Sequence, residues 1–209
     1  MDSLMSTYEF EPFFDAGSEI RLLTILPGST KDPVACKLEI HQLDSPPSFE
    51  ALSYTWGDNN AQNPIDIDGH CFIVHGNAYQ ALLELRNSEA PRTLWIDAVC
   101  IDQEDEDEKA SQVPLMKSIY GKAERVVVWF PPPRGRGKTI LGLLRELHLW
   151  GLETATSMIE DKDWHRLKAY DWLALRDFLV HPWWSRVWTL QEVILAREIV
   201  FQVDKHTIS

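Results

Sequence analysis

The sequence predicts an α/β fold in which helices cover both faces of a parallel sheet and an antiparallel β-hairpin extension comes first. Two observations carry this prediction. From residue 51 onward, apolar segments with strand patterns alternate with segments of helical periodicity, which is typical of parallel sheets with helical crossovers. Earlier in the chain, two alternating segments flank a short turn-rich segment, which is typical of an antiparallel hairpin.

The amino-terminal part is predicted to be a small addition to one main domain. Residues 1–45 are expected to form a lead-in and a β-hairpin that pack on the domain at 46–209. The hairpin strands are placed at 20–26 and 34–43, on either side of the turn segment PGSTKDP, since apolar and polar residues alternate in the second of them. The chain ends at KHTIS, which resembles a hairpin arm cut short, so we expect a longer parent protein.

The next segments predict a strand, a hairpin and a helix. The strand is placed at 51–56, and the hairpin at 64–75 turns at Asp68 and Gly69, a pair suited to a type I′ turn. Asn77 is predicted to cap the following helix, because a glutamine stands three residues later, as in a capping box.

One acid interrupts the most apolar segment. Residues 93–101 (TLWIDAVCI) are predicted to form a central strand buried on both faces, with Asp97 inside it. Such an acid is either satisfied by backbone donors or part of a site, and the pattern favours neither. The acidic run at 104–108 predicts a solvated loop or a helix start, and a helix is placed from near Ser111.

The remaining elements are read from the same patterns. They are a strand at 125–130, helices at 139–150, 163–180 and 186–196, and a strand at 198–203. The segment PPPRGRGKT after the first strand lacks the first glycine of a phosphate-binding loop, and its prolines have no backbone N–H to offer a phosphate. We expect a surface loop there.

Composition excludes several classes of function. The net charge of −12 argues against a nucleic-acid binder, since phosphate recognition needs clustered basic residues. Cys36, Cys71 and Cys100 contain no CxxC pair, so buried free thiols are expected, with no disulfide or metal site. No segment is apolar enough to span a membrane and the start lacks a signal-peptide pattern, so a cytoplasmic protein is expected.

A tryptophan and a glutamate stand one turn apart in the last predicted helix. Trp188 and Glu192 share one stripe of that helix. A carboxylate beside an indole can stabilise the oxocarbenium-like transition state of glycosidic bond cleavage. Equally, such a glutamate can pair on the surface with Arg186 or Arg197. Spacing alone leaves both interpretations open.

Four sequence blocks together resemble a known family. They are ALSYTWGD at 51–58, LWIDAVCIDQ at 94–103, QVPLMKSIYGKAERVVVWF at 112–130 and HPWWSRVWTLQEV at 181–193. In order and spacing they resemble the motifs of the fungal heterokaryon incompatibility (HET) domain, except that Asp102 stands where the family often has Asn. The resemblance implies a domain that triggers cell death when incompatible fungal strains fuse, together with other death-signalling proteins.

The HET domain is distantly similar to TIR domains, which have a flavodoxin-like parallel sheet. Some TIR domains self-associate and cleave NAD into nicotinamide and ADP-ribose products. The segment WTLQE at 188–192 resembles their W-C-x-x-E motif, so the resemblance implies that Glu192 is catalytic in an NAD glycohydrolase, with NAD as substrate and no cofactor. The implied substrate-binding residues are Ser53, Trp56, Gly57, Asp58, Asp97, Asp102, Gln103, Arg186 and Trp188.

Individual roles follow from the resemblance. Trp188 is expected to pack on the bound ribose or ring, and Arg186 to contact the pyrophosphate. Two alternatives of other classes stay open: an adaptor that signals by assembly without catalysis, and a sensor that binds a nucleotide without turnover.

Overall fold

The computed structural model describes residues 6–29, 31–57, 61–131, 140–142 and 169–208. The strands are β1 (Glu19–Ile25), β2 (Ala35–Gln42), β3 (Glu50–Ser53), β4 (Gln62–Ile67), β5 (His70–His75), β6 (Arg92–Trp95), β7 (Val126–Phe130), β8 (Ile199–Val203) and β9 (His206–Ile208). The helices are α1 (Gly76–Leu85), α2 (Asp97–Cys100), α3 (Glu106–Gln112), α4 (Met116–Lys122), α5 (Ala169–Leu179) and α6 (Val187–Ile194). Short 3-10 turns lie at Val113–Leu115 and Pro182–Ser185.

All nine of these strands join one mixed sheet, in the order β5-β4-β2-β1-β6-β3-β7-β8-β9. Its centre is parallel: β3 pairs in parallel with β6 on one side and with β7 on the other, and β7 pairs in parallel with β8. The predicted parallel α/β sheet is therefore present. The predicted amino-terminal hairpin, β1 and β2, extends this sheet because β1 also pairs antiparallel with β6.

The predicted hairpin at 64–75 is confirmed. Antiparallel strands β4 and β5 meet at Asp68 and Gly69, and both turn residues have positive φ, 52° and 85°. Two positive φ values are the signature of a type I′ turn, whose twist matches that of the strands.

Helices lie on both faces of the parallel strands, as predicted. Trp129 and Phe130 are consecutive in β7, so their side chains point to opposite faces. The Trp129 indole donates to the carboxylate of Glu84 in α1 at 2.7 Å. Phe130 instead packs against Phe178 of α5, with ring centroids 4.7 Å apart.

The predicted strand at 93–101 is wrong in its second half. Strand β6 ends at Trp95, and Asp97 begins the single turn α2. The turn forms because the N–H groups of Val99 and Cys100 both donate to the carbonyl of Ile96, at 3.1 and 2.8 Å. The continuous apolar pattern hid this turn, since Val99 and Cys100 are as fully buried as the strand residues before them.

Two helix starts also differ from the predictions. Helix α1 begins at Gly76 without a side-chain cap, because the amide of Asn77 donates to the carbonyl of Thr55 at 2.8 Å instead of capping. Helix α3 begins at Glu106, ahead of the predicted Ser111. The side chain of Asp105 caps it by accepting from the backbone N–H groups of Asp107 and Glu108. The acidic run is therefore a helix start, where its charge is favoured.

The later elements agree with the sequence patterns where the structure describes them. Strand β7, helix α6 and strand β8 fall on the predicted segments, and β9 forms the second hairpin arm. Helix α5 occupies the described part of the predicted helix at 163–180. The predicted helix at 139–150 and the loop PPPRGRGKT lie largely outside the described residues.

The three cysteines are free thiols in different surroundings. Cys36 and Cys100 are buried as predicted, whereas Cys71 is only partly covered. Burial raises the pKa of both Cys36 and Cys100 to about 12. In the described ranges, no helix combines the length and apolar character that crossing a bilayer requires.

Candidate functional site

The candidate site lies at the carboxyl ends of the parallel strands. Ser53 ends β3 and Phe130 ends β7, the neighbouring strand, while Asp97 comes just after the end of β6. The chain runs from β3 to β6 on one side and then returns to β7 on the other. Open α/β sheets bind ligands in the crevice formed where the strand order reverses in this way.

Glu192 is buried at this crevice by α6. The helix turns Thr189 and Glu192 inward, and Glu192 is only 4% exposed. The hydroxyl of Ser53 donates to its Oε2. The indole N–H of Trp183 in turn donates to Ser53 Oγ at 2.7 Å. A chain of two hydrogen bonds therefore fixes the carboxylate at the end of β3.

The environment of Glu192 works in two directions on its pKa. Burial raises the pKa of Glu192 above its ordinary value, and the negative charge of Asp97 acts the same way. The hydrogen bond from Ser53 and the positive charge of Arg186 lower it. Burial is the largest of these effects, so the net shift of the pKa is upward.

Asp97 forms the second acid of the site. Its Oδ2 accepts from the indole N–H of Trp56 at 3.0 Å, and its Oδ1 from the N–H of Ala98 at 2.8 Å. Burial raises the pKa of Asp97, while the bonds from Trp56 and Ala98 and the charge of Arg186 oppose the shift. Asp97 therefore has a backbone donor, one of the two alternatives that the sequence left open, and its charge also acts on Glu192. Its role as a site acid stays a prediction.

Arg186 supplies positive charge to both acids. It precedes α6, and its guanidinium donates to the carbonyl of Tyr54. Its charge lowers the pKa of Glu192 and of Asp97. Glu192 is buried and the other two residues are partly buried, so the charges of these two acids and one cation interact more strongly than they would in water.

A glutamine substitution at Glu192 tests this electrostatic description. The folded-state pKa of Glu192 is raised, so the folded protein holds this proton more tightly than the unfolded chain, and stability falls as pH rises through that pKa. Glu192→Gln has no such titration, so its melting temperature should exceed that of the unsubstituted protein at pH 8, by about 2–4 °C. Differential scanning calorimetry should show this advantage shrinking toward pH 4. An advantage that is the same at both pH values would contradict the raised pKa.

Gln103 and Asp102 hold the loop that follows α2. The amide of Gln103 donates to the carbonyl of Asp97 at 2.8 Å and to that of Ile101 at 3.3 Å. The carboxylate of Asp102 accepts from the N–H of Glu104 at 2.9 Å. Both side chains are thus engaged with the backbone of this loop, and neither has a described contact with Glu192.

Gly57 has a backbone conformation that requires glycine. Its φ is +76°, and a Cβ at this position would lie 2.7 Å from the amide of Asn77, the group that holds the Thr55 carbonyl. Only glycine fits such a conformation and space without strain. The neighbouring predicted site residue, Asp58, lies outside the described residues.

Gly57→Ala should therefore destabilise the protein more than Gly69→Ala. Both glycines have positive φ, but a Cβ at Gly69 has no neighbour within 4 Å. Gly69→Ala should lose about 1 kcal/mol from backbone strain alone, and Gly57→Ala about 1 kcal/mol more as Asn77 gives up its bond. Urea unfolding of the two variants measures the difference, and equal losses would show that Asn77 moves aside without cost.

Trp188 lies apart from this cluster. Its ring is 52% exposed on the outer side of α6, and the expected stacking on a ribose or ring stays a prediction. The same outer side carries an apolar stripe of Val187, Leu190 and Ile194, each at least 64% exposed. Helix α6 therefore buries its acid and exposes three of its four aliphatic side chains, while Val193 packs against the core. An ordinary amphipathic helix buries its apolar side chains and exposes its charged ones.

Three residues of the cluster escaped the sequence analysis. Trp183 donates to Ser53, the hydroxyl of Tyr120 donates to the Leu52 carbonyl at 3.1 Å, and Tyr54 lies against Asp97. Burial raises the pKa of both tyrosines well above the ordinary value, and the nearby acids add to the rise. The available signal was the position of Tyr54 and Trp183 inside the motif blocks: Tyr54 directly follows Ser53, and Trp183 stands three residues before Arg186.

The described residues include no group of three or more His, Cys, Asp or Glu side chains placed to hold a metal ion. The cluster around Glu192 has two acids, Glu192 and Asp97, and one cation, Arg186. Its groups are suited to charge stabilisation and hydrogen bonding.

The family model for heterokaryon incompatibility protein (HET) matches residues 49–192, more than half of the chain. This chain belongs to the HET family. The match begins just before β3 and ends at Glu192, so it contains every residue of the cluster described above. The resemblance of the four sequence blocks is thereby confirmed.

A relative of this HET domain agrees with the family match. It is the heterokaryon incompatibility protein 6, OR allele, of Neurospora crassa, which is 29% identical over 242 aligned residues. The alignment covers 97% of this chain and 36% of that protein, so the chain spans about a third of its relative's length. No solved structure matches this HET domain.

Proposed function

We propose that this HET domain cleaves NAD to nicotinamide and ADP-ribose products, with Glu192 as the catalytic carboxylate, and that self-association activates it in cell-death signalling. The observation that carries the proposal is the fixed, buried position of Glu192, hydrogen-bonded by Ser53 at the carboxyl end of β3. Ligands of open α/β sheets bind at this end.

The strand order supports the relation to TIR domains. Numbered among themselves along the chain, the parallel strands β3, β6, β7 and β8 lie in the order 2-1-3-4. Flavodoxin-like sheets have the order 2-1-3-4-5. The four parallel strands therefore agree with the first four of that order, with antiparallel strands added at both edges.

In the proposed cleavage of NAD, one carboxylate stabilises the positive charge that develops on the ribose. As the bond between nicotinamide and ribose breaks, the bonding electrons leave with neutral nicotinamide and positive charge develops on the ribose. Glu192, when ionised, faces that charge, and a water molecule completes the hydrolysis. Ser53 and Arg186 favour the ionised form by lowering the pKa of Glu192 against the effect of burial. Arg186 also offers a cation for a pyrophosphate.

The low exposure of Glu192 suggests that the site must be activated before it can bind a substrate. At 4% exposure its carboxylate has almost no surface for a substrate to contact. Meanwhile the apolar stripe of α6 points outward, and assembly that covers it would act on the helix carrying Glu192. We therefore expect a silent monomer and an active assembly.

The test is nicotinamide release from NAD by the purified chain across a range of protein concentrations, with and without a crowding agent. The oligomeric state is measured in the same samples by light scattering. Release should rise more steeply than linearly with protein concentration, because activity belongs to the assembly. A sample shown to be assembled that releases no nicotinamide contradicts the proposal.

A second candidate is an adaptor that signals by assembly alone. The same two observations favour it, since a closed Glu192 and an exposed apolar stripe are what a non-catalytic assembly domain would show. The two candidates differ in one outcome. For the adaptor, substitutions on the α6 stripe abolish cell killing, whereas substitution of Glu192 leaves it unchanged.

A further inference from the structure

A cavity of about 600 Å³ lies beside the cluster and is not part of it. One wall is the amino-terminal segment 7–10 together with residues 71–75 of β5, and the other is Trp56 with the loop at 102–104. Ser53, Arg186 and Glu192 do not line it. The two places share Trp56, whose indole N–H is turned to Asp97. Asp102 and Gln103, which the family resemblance implies as substrate-binding residues, line this cavity and not the cluster.

Aromatic rings form much of the cavity wall. Tyr8, Phe10 and Phe72 contact one another edge to face, with centroids 5.4 to 6.0 Å apart and ring planes nearly perpendicular. All three line the cavity with Trp56, and all four are partly exposed. Because the ring planes are nearly perpendicular, a ligand in the cavity can contact both ring faces and ring edges.

The charged groups of the wall are all acidic. Glu9, Asp102 and Glu104 line the cavity, its lining residues include no lysine or arginine, and its one histidine is His75. Arg21 lies over the Phe10 ring at 4.8 Å and is already paired with Glu108 at 2.6 Å. Lys109 donates to the carbonyl of Gln103 at 2.8 Å and is paired with Glu106 at 2.6 Å. The cavity therefore has a negative field, which repels phosphate groups and attracts cations.

We propose that this cavity binds an organic cation, such as a quaternary or alkylated ammonium group. Aromatic faces attract such cations through the negative charge of their π systems, and the alkyl groups gain apolar contact. Carboxylates at the rim add a Coulombic attraction. This proposal does not rest on NAD cleavage, because the pyrophosphate of a dinucleotide would meet three acids here.

The test compares choline with its neutral isostere, in which a carbon atom replaces the quaternary nitrogen. The two probes have the same shape and differ in charge. Titration followed by heteronuclear NMR should show saturable choline binding with a Kd of about 1 mM or tighter, with shifts at Tyr8, Trp56 and Phe72. The neutral isostere should bind about tenfold more weakly or not at all. Equal binding of both probes, or shifts confined to other parts of the protein, overturns the proposal.

Matched variants distinguish the effect of the rim carboxylates on choline binding from the effect of the protein's net charge. Glu9→Gln combined with Glu104→Gln should weaken choline binding at least about threefold, since the attraction of two rim carboxylates is removed. Glu39→Gln combined with Glu89→Gln changes the net charge equally on exposed residues that do not line the cavity. If the second pair weakens binding as much as the first, the proposal fails.

An aromatic variant tests the wall itself. Tyr8→Leu should weaken choline binding more than binding of the neutral isostere, because it removes a π face and keeps an apolar side chain. Thermal unfolding of the variant shows whether the segment still packs. NAD is absent from all these titrations, so their outcome does not depend on whether Glu192 is catalytic.

Discussion

Glu192→Gln is expected to reduce nicotinamide release by about 100- to 1,000-fold in samples that assemble normally. Glutamine keeps the size of the side chain and can still accept from Ser53, so the buried packing of α6 is retained. It loses the negative charge that faces the developing positive charge on the ribose. The measurement is the initial rate of nicotinamide release at saturating NAD, with circular dichroism and light scattering to confirm fold and assembly.

The matched control is Glu198→Gln, which removes a carboxylate just after the end of α6. Glu198 is exposed, and its backbone carbonyl, which accepts from Val126 at 2.8 Å, is unaffected by the change. This variant should keep its full rate. Unchanged release from Glu192→Gln would show that another group supports the reaction, and Asp97 would then be the next residue to replace.

Arg21→Met is expected to lower the free energy of unfolding by about 3–5 kcal/mol. Arg21 is 1% exposed and forms a two-pronged ion pair with Glu108, at 2.6 and 3.0 Å. It also donates to the carbonyls of Glu11 and Cys100, at 2.6 and 3.3 Å. Methionine keeps much of the apolar stem but removes the cation that pairs with the buried Glu108 carboxylate, which then accepts only from the N–H of Asp102. This loss is the main cost.

Two glutamine substitutions in α3 provide the comparison for Arg21. Glu106 pairs with Lys109 on the surface, and its side chain is 87% exposed, so Glu106→Gln should change stability by less than about 0.5 kcal/mol. Glu108→Gln should cost several times more, since the Glu108 side chain is 10% exposed. Urea unfolding measures all three variants. A loss below about 1 kcal/mol for Arg21→Met would mean that water reaches Glu108 once the arginine is gone.

The ion pair of Arg21 also shows what the sequence could not predict. Arg21 and Glu108 are 87 residues apart, and nothing in the local pattern of β1 or of the acidic run distinguishes them. Glu108 holds the N–H of Asp102 at 2.7 Å, so this pair ties the amino-terminal segment to the loop near the site. Contacts of this kind depend on the assembled sheet, which periodicity does not describe.

Sequence patterns predicted the structure correctly where it depends on neighbouring residues. The type I′ turn at Asp68 and Gly69 and the alternation of β2 were predicted, since turn geometry and half-burial leave a direct mark on residue order. The turn at Asp97 was missed because a buried helical turn and a buried strand are equally apolar. Among the candidate site residues, Ser53 and Glu192 were selected and meet in the structure, whereas Trp183, the donor to Ser53, was passed over.

Cys71 gives this protein a natural place for a chemical reporter. The other two thiols are buried and, with pKa values near 12, carry almost no reactive thiolate at neutral pH. Cys71 is partly exposed and lines the acidic aromatic cavity. A thiol-directed fluorophore should therefore label one position without any engineered cysteine, and its emission would follow the occupancy of that cavity in real time.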